Sequence, residues 1–147
     1  MMYTDKLSIS IDSVSASRVE VSMPITPDLY QPFGFLHGGA TISLLETAAS
    51  MGAEQLADLD KQLPFGVEVR VRHLKSGKSG LLRGVAELDH EEPSHTNGMK
   101  QFWNVAAYDD VGDVVSKGVI VTKIVDLDYL EQKEAARRAE REGQAEA

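Results

Sequence analysis

The chain has 147 residues, 26% of them charged and 42% hydrophobic, with a formal net charge of -8 and no cysteine. These are the size and composition of one globular domain with a single core. Disulfides, thiolate catalysis and cysteine-based zinc sites are excluded, the acidity argues against general nucleic-acid binding, and no stretch reads as a membrane span. The opening Met1-Met2-Tyr3-Thr4-Asp5-Lys6 has no apolar h-region, so no secretory signal and a cytoplasmic location are expected.

Residues Leu7 to Val14 read as a weak strand, and Arg18 to Met23 alternates with Val19, Val21 and Met23 on one face. Pro24, Pro27 and Pro32 then impose an irregular segment, which Gly34 and the pair Gly38-Gly39 extend. A helix is predicted from Gly38 to Leu59, apolar on nearly every side and so enclosed by other structure. From Phe65 to Val125 the chain reads as four strands. Val67, Val69 and Val71 alternate in the first, a turn-forming loop runs from Lys75 to Gly80, and Leu81 to Asp89 is the second. A polar loop is expected from His90 to Lys100, then strands Gln101 to Tyr108 and Val114 to Val125 around a turn at Asp109 to Asp113. Residues 1–125 are expected to form one domain, and 126–147 a charged tail, either a solvated helix or disordered. This order suits an α+β fold in which an antiparallel sheet wraps one central helix. A single such layer leaves part of the helix bare, and pairing with a second copy is the simplest remedy.

Within Gly38 to Ala53 the one charged residue is Glu46. A carboxylate among apolar neighbours is costly unless it is neutralised, paired or faces a cavity. Ser50, four residues on, shares its helix face, and the two can hold a water between them. At the helix start, Gly38 and Gly39 leave backbone N–H groups open where the helix dipole favours negative charge, a device suited to the oxyanion of an attacked carbonyl. Gly38 and Glu46 are eight residues apart, about 12 Å of helix. One chain does not easily bring both to one carbonyl, so cooperation requires two subunits. From Val69 to Ala86 the chain carries Arg70, Arg72, Lys75, Lys78, Arg83 and His73 with no acid, which points to a local anion site.

Gln31-Pro32-Phe33-Gly34-Phe35-Leu36-His37-Gly38-Gly39-Ala40 followed by Leu44-Leu45-Glu46-Thr47-Ala48-Ala49-Ser50 closely resembles the hotdog-fold thioesterases. The resemblance is to the branch of PaaI-type, Arthrobacter-type 4-hydroxybenzoyl-CoA and 1,4-dihydroxy-2-naphthoyl-CoA thioesterases, and it spans roughly residues 15 to 125. It implies hydrolysis of an acyl-CoA, with an aromatic acyl group expected. It also implies active sites at dimer interfaces and dimers paired into a homotetramer. Glu46 is then the catalytic base or nucleophile and Ser50 helps hold the water. Gly38 polarises the carbonyl, and Gln31 and His37 contact the thioester region. Gly39 is counted with the substrate-binding residues. His73, Lys75, Lys78, Ser79 and Gly80 fall in the segment that binds the nucleotide and phosphates of CoA. No metal and no cofactor beyond the CoA of the substrate are expected, and neither a nucleic-acid nor a membrane partner. The long acidic segment His90 to Gly98 and the charged tail depart from the family pattern. A non-catalytic acyl-CoA binder on the same fold is the alternative; enoyl-thioester hydration lacks its Asp/His pairing here.

Overall fold

The computed structural model describes residues 1–146. A single helical turn, α1 (Tyr3–Lys6), precedes β1 (Ser10–Val14) and β2 (Arg18–Pro24). A 3-10 turn at Pro27–Leu29 lies in the proline-rich segment before α2 (Gly38–Leu56). Then come β3 (Gln62–His73), β4 (Leu81–Pro93), β5 (Met99–Tyr108), β6 (Val114–Asp126) and α3 (Leu127–Glu146).

The six strands form one sheet in the order β1-β2-β4-β5-β6-β3, with every pair antiparallel. Helix α2 lies against one face. Its fully buried residues Leu44, Leu45, Ala48, Ala49 and Ala53 recur at helical spacing and meet Val19, Val21, Met23, Leu82, Trp103 and Ile120 of the sheet. This is the wrapped-helix architecture expected from the pattern. Small residues along α2 let it approach closely. A side chain begun at Gly52 would enter the Trp103 ring well inside contact distance.

Trp103 is wholly buried and donates from Nε1 to Thr122 Oγ1 at 2.9 Å, and Thr122 donates to Gln101 Oε1 at 2.9 Å. With the ring anchored in this way it has little freedom to retreat. Gly52→Ala is therefore expected to destabilise the fold by about 2 kcal/mol, because three ring atoms of an anchored Trp103 stand within 3 Å of the new Cβ, which puts overpacking at the upper end of its range, about 3 kcal/mol, and helix propensity returns only about 1. A thermal melt with a midpoint at or above wild type would refute this.

Several boundaries differ from the sequence expectation. The helix stops at Leu56, not Leu59; the Ala57 N–H closes it on Ala53 and Glu54 carbonyls, and Asp58 to Lys61 turns the chain into β3. Pro64 lies inside β3, which an edge strand tolerates because its outward N–H is not needed for the ladder. The expected polar loop from His90 to Lys100 is mostly strand. β4 continues through a bulge between Leu88 and His90 and pairs His90 with Phe102, Glu91 with Gln101 and Glu92 with Lys100. Cross-strand contacts support this polar extension: the His90 and Phe102 rings stack at 4.3 Å, and Gln101 donates to Glu91 at 3.0 Å. Asp89 first, and Glu92 second, raise the pKa of the exposed His90 above its ordinary 6.5.

Residues 127–146 form α3, a helix with no buried residue. Among the described residues no helix is long and apolar enough to cross a membrane.

Candidate active site

The connection from β2 to α2 is held in shape by its own backbone and side chains. Gln31 N–H donates to Phe35 O, His37 N–H to Leu29 O, and Leu36 N–H reaches across to Gly77 O at 2.8 Å. The Gln31 Oε1 accepts from the Phe33 and Phe35 N–H groups, so its amide nitrogen is the end left to donate elsewhere. His37 is the N-cap of α2: its Nδ1 accepts from Gly39 N–H at 2.8 Å, and its carbonyl accepts from Ala40 N–H. The Gly39 amide is therefore occupied. The Gly38 N–H has no acceptor among the described residues, so it is the free donor of this helix terminus.

All the predicted residues except Lys78, Ser79 and Gly80 divide among three clefts. Gln31, Gly38, His73 and Lys75 line one of about 210 Å³, with Phe35, Leu36 and Thr41. His37 and Gly39 face a shallower one of about 320 Å³ beside Tyr3 and Tyr30. Glu46 and Ser50 line a third of about 470 Å³, whose outer wall is the N-terminal segment through Tyr3, Ile9 and Ile11. The first and third share no residue. The separation inferred from helix rise is present in the fold: within one chain, the free amide and the carboxylate open into different clefts.

Glu46 is half-buried and belongs to none of the ion pairs among the described residues. Its carboxylate lies directly on the backbone of Gly66 in β3, where any Cβ would strike Oε1. On the same side of α2, Ser43 and Thr47 spend their hydroxyls on carbonyls one turn back, at 2.9 and 2.7 Å. Ser50 makes no such bond among the described residues, which leaves its hydroxyl available beside Glu46. Gly66 falls within the stretch that resembles the family, but the sequence assigns it no role in the site. A glycine inside an alternating strand is the signal that would have found it, since it often marks a close backbone approach. The wall from Tyr3, which meets Ser43 Oγ at 2.8 Å, carries no sequence signal.

The acid-free basic run is less positive in three dimensions than in the sequence. Lys75 Nζ lies 2.6 Å from Asp109 and 2.9 Å from Asp113, both supplied by the β5–β6 turn. These carboxylates raise the Lys75 pKa, and Lys75 holds Asp109 below the usual carboxylate range. Arg70 pairs with Glu68, and Arg83 with Glu20. Lys78 has no carboxylate partner among the described residues and rests over the Phe35 ring at 4.8 Å. Its carbonyl accepts from Tyr30 Oη, and the carbonyl of Gly80 accepts from Ile25 N–H, so the Lys75 to Gly80 loop is pinned to the β2–α2 connection. Ser79 lies on this loop between them.

The profile of the thioesterase superfamily matches residues 33–116, more than half the chain and all of the segment from the Gly38 amide through Glu46 to Ser116. The chain belongs to the thioesterase superfamily. It is similar to the 1,4-dihydroxy-2-naphthoyl-CoA hydrolase of Listeria monocytogenes, at 35% identity over 72% of this chain and 81% of the relative. It is likewise similar to the proofreading thioesterase EntH of Cronobacter turicensis, at 34% identity over 74% of each. Among solved structures, the thioesterase enzyme SAV0944 of Staphylococcus aureus, carrying a glutamine-to-alanine substitution, superposes with a TM-score of 0.76 at 32% identity, over 83% of this chain and 97% of that one. The same protein with a glutamate-to-alanine substitution gives a TM-score of 0.78. The fold is the hotdog thioesterase fold, and the enzyme is a thioester hydrolase.

Proposed function

We propose that this thioesterase hydrolyses an aromatic acyl-CoA at a site built by two subunits, with Gly38 from one and Glu46 from the other. The observation that carries this reading is the placement of both residues along one strand whose outer edge is open. β3 is a 12-residue edge strand bonded, among the described residues, to β6 alone, with Phe65, Val67 and Val69 exposed at 45%, 51% and 38%. A long apolar edge of this kind calls for a covering strand. Glu46 lies on Gly66 toward the beginning of β3, and Gly38 lies on His73 at its end. Two antiparallel copies of β3, related by a two-fold axis at Val69 or Arg70, keep inward side chains on one face. That register brings Gly66 of one copy within one position of His73 of the other. Glu46 of one subunit then faces Gly38 of the other.

In this arrangement the thioester oxygen takes the Gly38 N–H at the positive end of α2, with the Gln31 amide as a second donor and His37 fixing the helix cap. Glu46 either removes a proton from water as it attacks or itself attacks the carbonyl, and the Ser50 hydroxyl holds the water. The C–S bond breaks and CoA leaves as thiolate; when water is the nucleophile this gives the free acid directly, and when Glu46 is the nucleophile the held water then cleaves the acyl-Glu46 anhydride, releasing the free acid and restoring the carboxylate. The cleft of about 470 Å³ beside Glu46, walled by Tyr3, Ile9, Ile11 and Met51, suits one aromatic acyl group. Lys78 and Ser79 meet the CoA phosphates in this reading, which the absence of a carboxylate partner for Lys78 among the described residues supports. The chemistry calls for no metal and no resident cofactor, CoA being part of the substrate. The active unit is a homodimer, two of which make the homotetramer, working in the cytoplasm.

Relatives named for 1,4-dihydroxy-2-naphthoyl-CoA support the aromatic acyl-CoA. The glutamine and glutamate altered in the S. aureus thioesterase are fifteen positions apart, the spacing of Gln31 and Glu46. Thiol release from phenylacetyl-, 4-hydroxybenzoyl-, 1,4-dihydroxy-2-naphthoyl- and medium-chain acyl-CoAs tests the proposal. The highest kcat/KM is expected for an aromatic member. Tight acyl-CoA binding without thiol release from any of them would make the protein a binder instead.

A further inference from the structure

We infer that His73 is a third hydrogen-bond donor to the thioester carbonyl, locked in its donating orientation by Ser116. The inference rests on Gly38 being the carbonyl-polarising amide. His73 was expected out among the CoA-binding residues, but the register of β3 on β6 sets it opposite Ser116, with both side chains on the face toward α2. Ser116 is wholly buried, and its Oγ lies 2.7 Å from His73 Nδ1. The opposite nitrogen, Nε2, lies against the Gly38 backbone: a Cβ on Gly38 would be 2.7 Å from it. The ring is thus clamped at one nitrogen and presents the other to the helix terminus whose N–H is free.

When the Ser116 hydroxyl donates to Nδ1, the neutral imidazole carries its proton on Nε2 and donates there. The ring then does for the carbonyl what a side-chain amide does in other oxyanion sites. Gln31, Gly38 and His73 line the same cleft of about 210 Å³, and each offers an N–H: one from the loop, one from the helix end and one from the strand end. Donors fixed on three separate elements need no reorganisation as charge grows on the oxygen. Ser116 also requires the histidine, since a buried hydroxyl stripped of its partner is costly. Ser116 is a positioning residue; His73 is the group that meets the substrate.

The test uses kinetics and the infrared carbonyl stretch of benzoyl-CoA labelled with carbon-13 at its carbonyl, bound to the Glu46→Gln protein so that it is not consumed. His73→Ala is expected to lower kcat about a hundredfold with KM changed by no more than about threefold. It should also raise the bound carbonyl frequency when combined with Glu46→Gln. His73→Gln, whose amide nitrogen can reach the Nε2 position, should restore kcat to within about tenfold of wild type. Ser116→Ala should lower kcat about tenfold, with a matching rise in carbonyl frequency. An unchanged carbonyl frequency in the His73→Ala protein, or a loss confined to KM as expected of a nucleotide contact, would overturn the inference. If Glu46→Gln itself turned over benzoyl-CoA at wild-type rate, the two-subunit mechanism would fall first, independently of His73.

Discussion

Replacing Glu46 with glutamine is expected to lower kcat by about a thousandfold while leaving acyl-CoA binding and the melting temperature near wild type. Glutamine keeps the length and volume of the side chain, so the contact with Gly66 survives and α2 gains no cavity. What disappears is the ability to take a proton from water or to attack the carbonyl, and positioned acid–base groups are worth about 10²–10⁴ in rate. Because the carboxylate forms no ion pair among the described residues, its removal orphans no buried cation. Thiol-release kinetics give kcat, and calorimetry with a slowly hydrolysed acyl-CoA gives binding. A kcat within a few-fold of wild type would remove Glu46 from the mechanism.

Mixing two inactive proteins should regenerate activity. Glu46→Gln lacks the carboxylate, and Gly38→Ala forces a Cβ into the His73 ring and so spoils the donor cleft. If each site draws Gly38 from one subunit and Glu46 from the other, a mixed dimer contains one doubly damaged site and one intact site. Random pairing of equal amounts makes about half of the dimers mixed, so about a quarter of wild-type activity should return. If both residues of a site came from one chain, every site in the mixture would be damaged and no activity would appear. Subunits exchanged by brief denaturant treatment, followed by thiol release, give the answer. Gln31→Ala in place of Gly38→Ala guards against a folding defect, because among the described residues the Gln31 side chain bonds only within its own loop.

Much of this arrangement was legible in the linear chain, for identifiable reasons. The alternation of Val19, Val21 and Met23 and the small apolar residues of α2 reflect burial periodicity, which is local. Glu46 was conspicuous because it is alone among apolar neighbours, and its separation from Gly38 follows from helix rise. Features set by register were not legible. Lys75 looked like a free cation until the β5–β6 turn delivered Asp109 and Asp113 to it. His73 reads in sequence as one of the CoA-binding residues, and only its pairing with Ser116 reveals that it lies against Gly38. His90 to Glu92 looked like loop because their polarity hides the alternation, yet Phe102 and Gln101 across the strand give them partners. No count along the chain reveals a neighbour that depends on which strands lie side by side.

The exposed edge of β3 has a further consequence for how the enzyme behaves on dilution. If both halves of each site meet only across that edge, specific activity is not a constant of the polypeptide but depends on its concentration, falling as dimers separate. The same separation uncovers Phe65, Val67 and Val69 on an open strand, a template for pairing with other chains. Inactivation and the onset of aggregation would then be one event seen in two assays, and a ligand bridging the two subunits would protect against both.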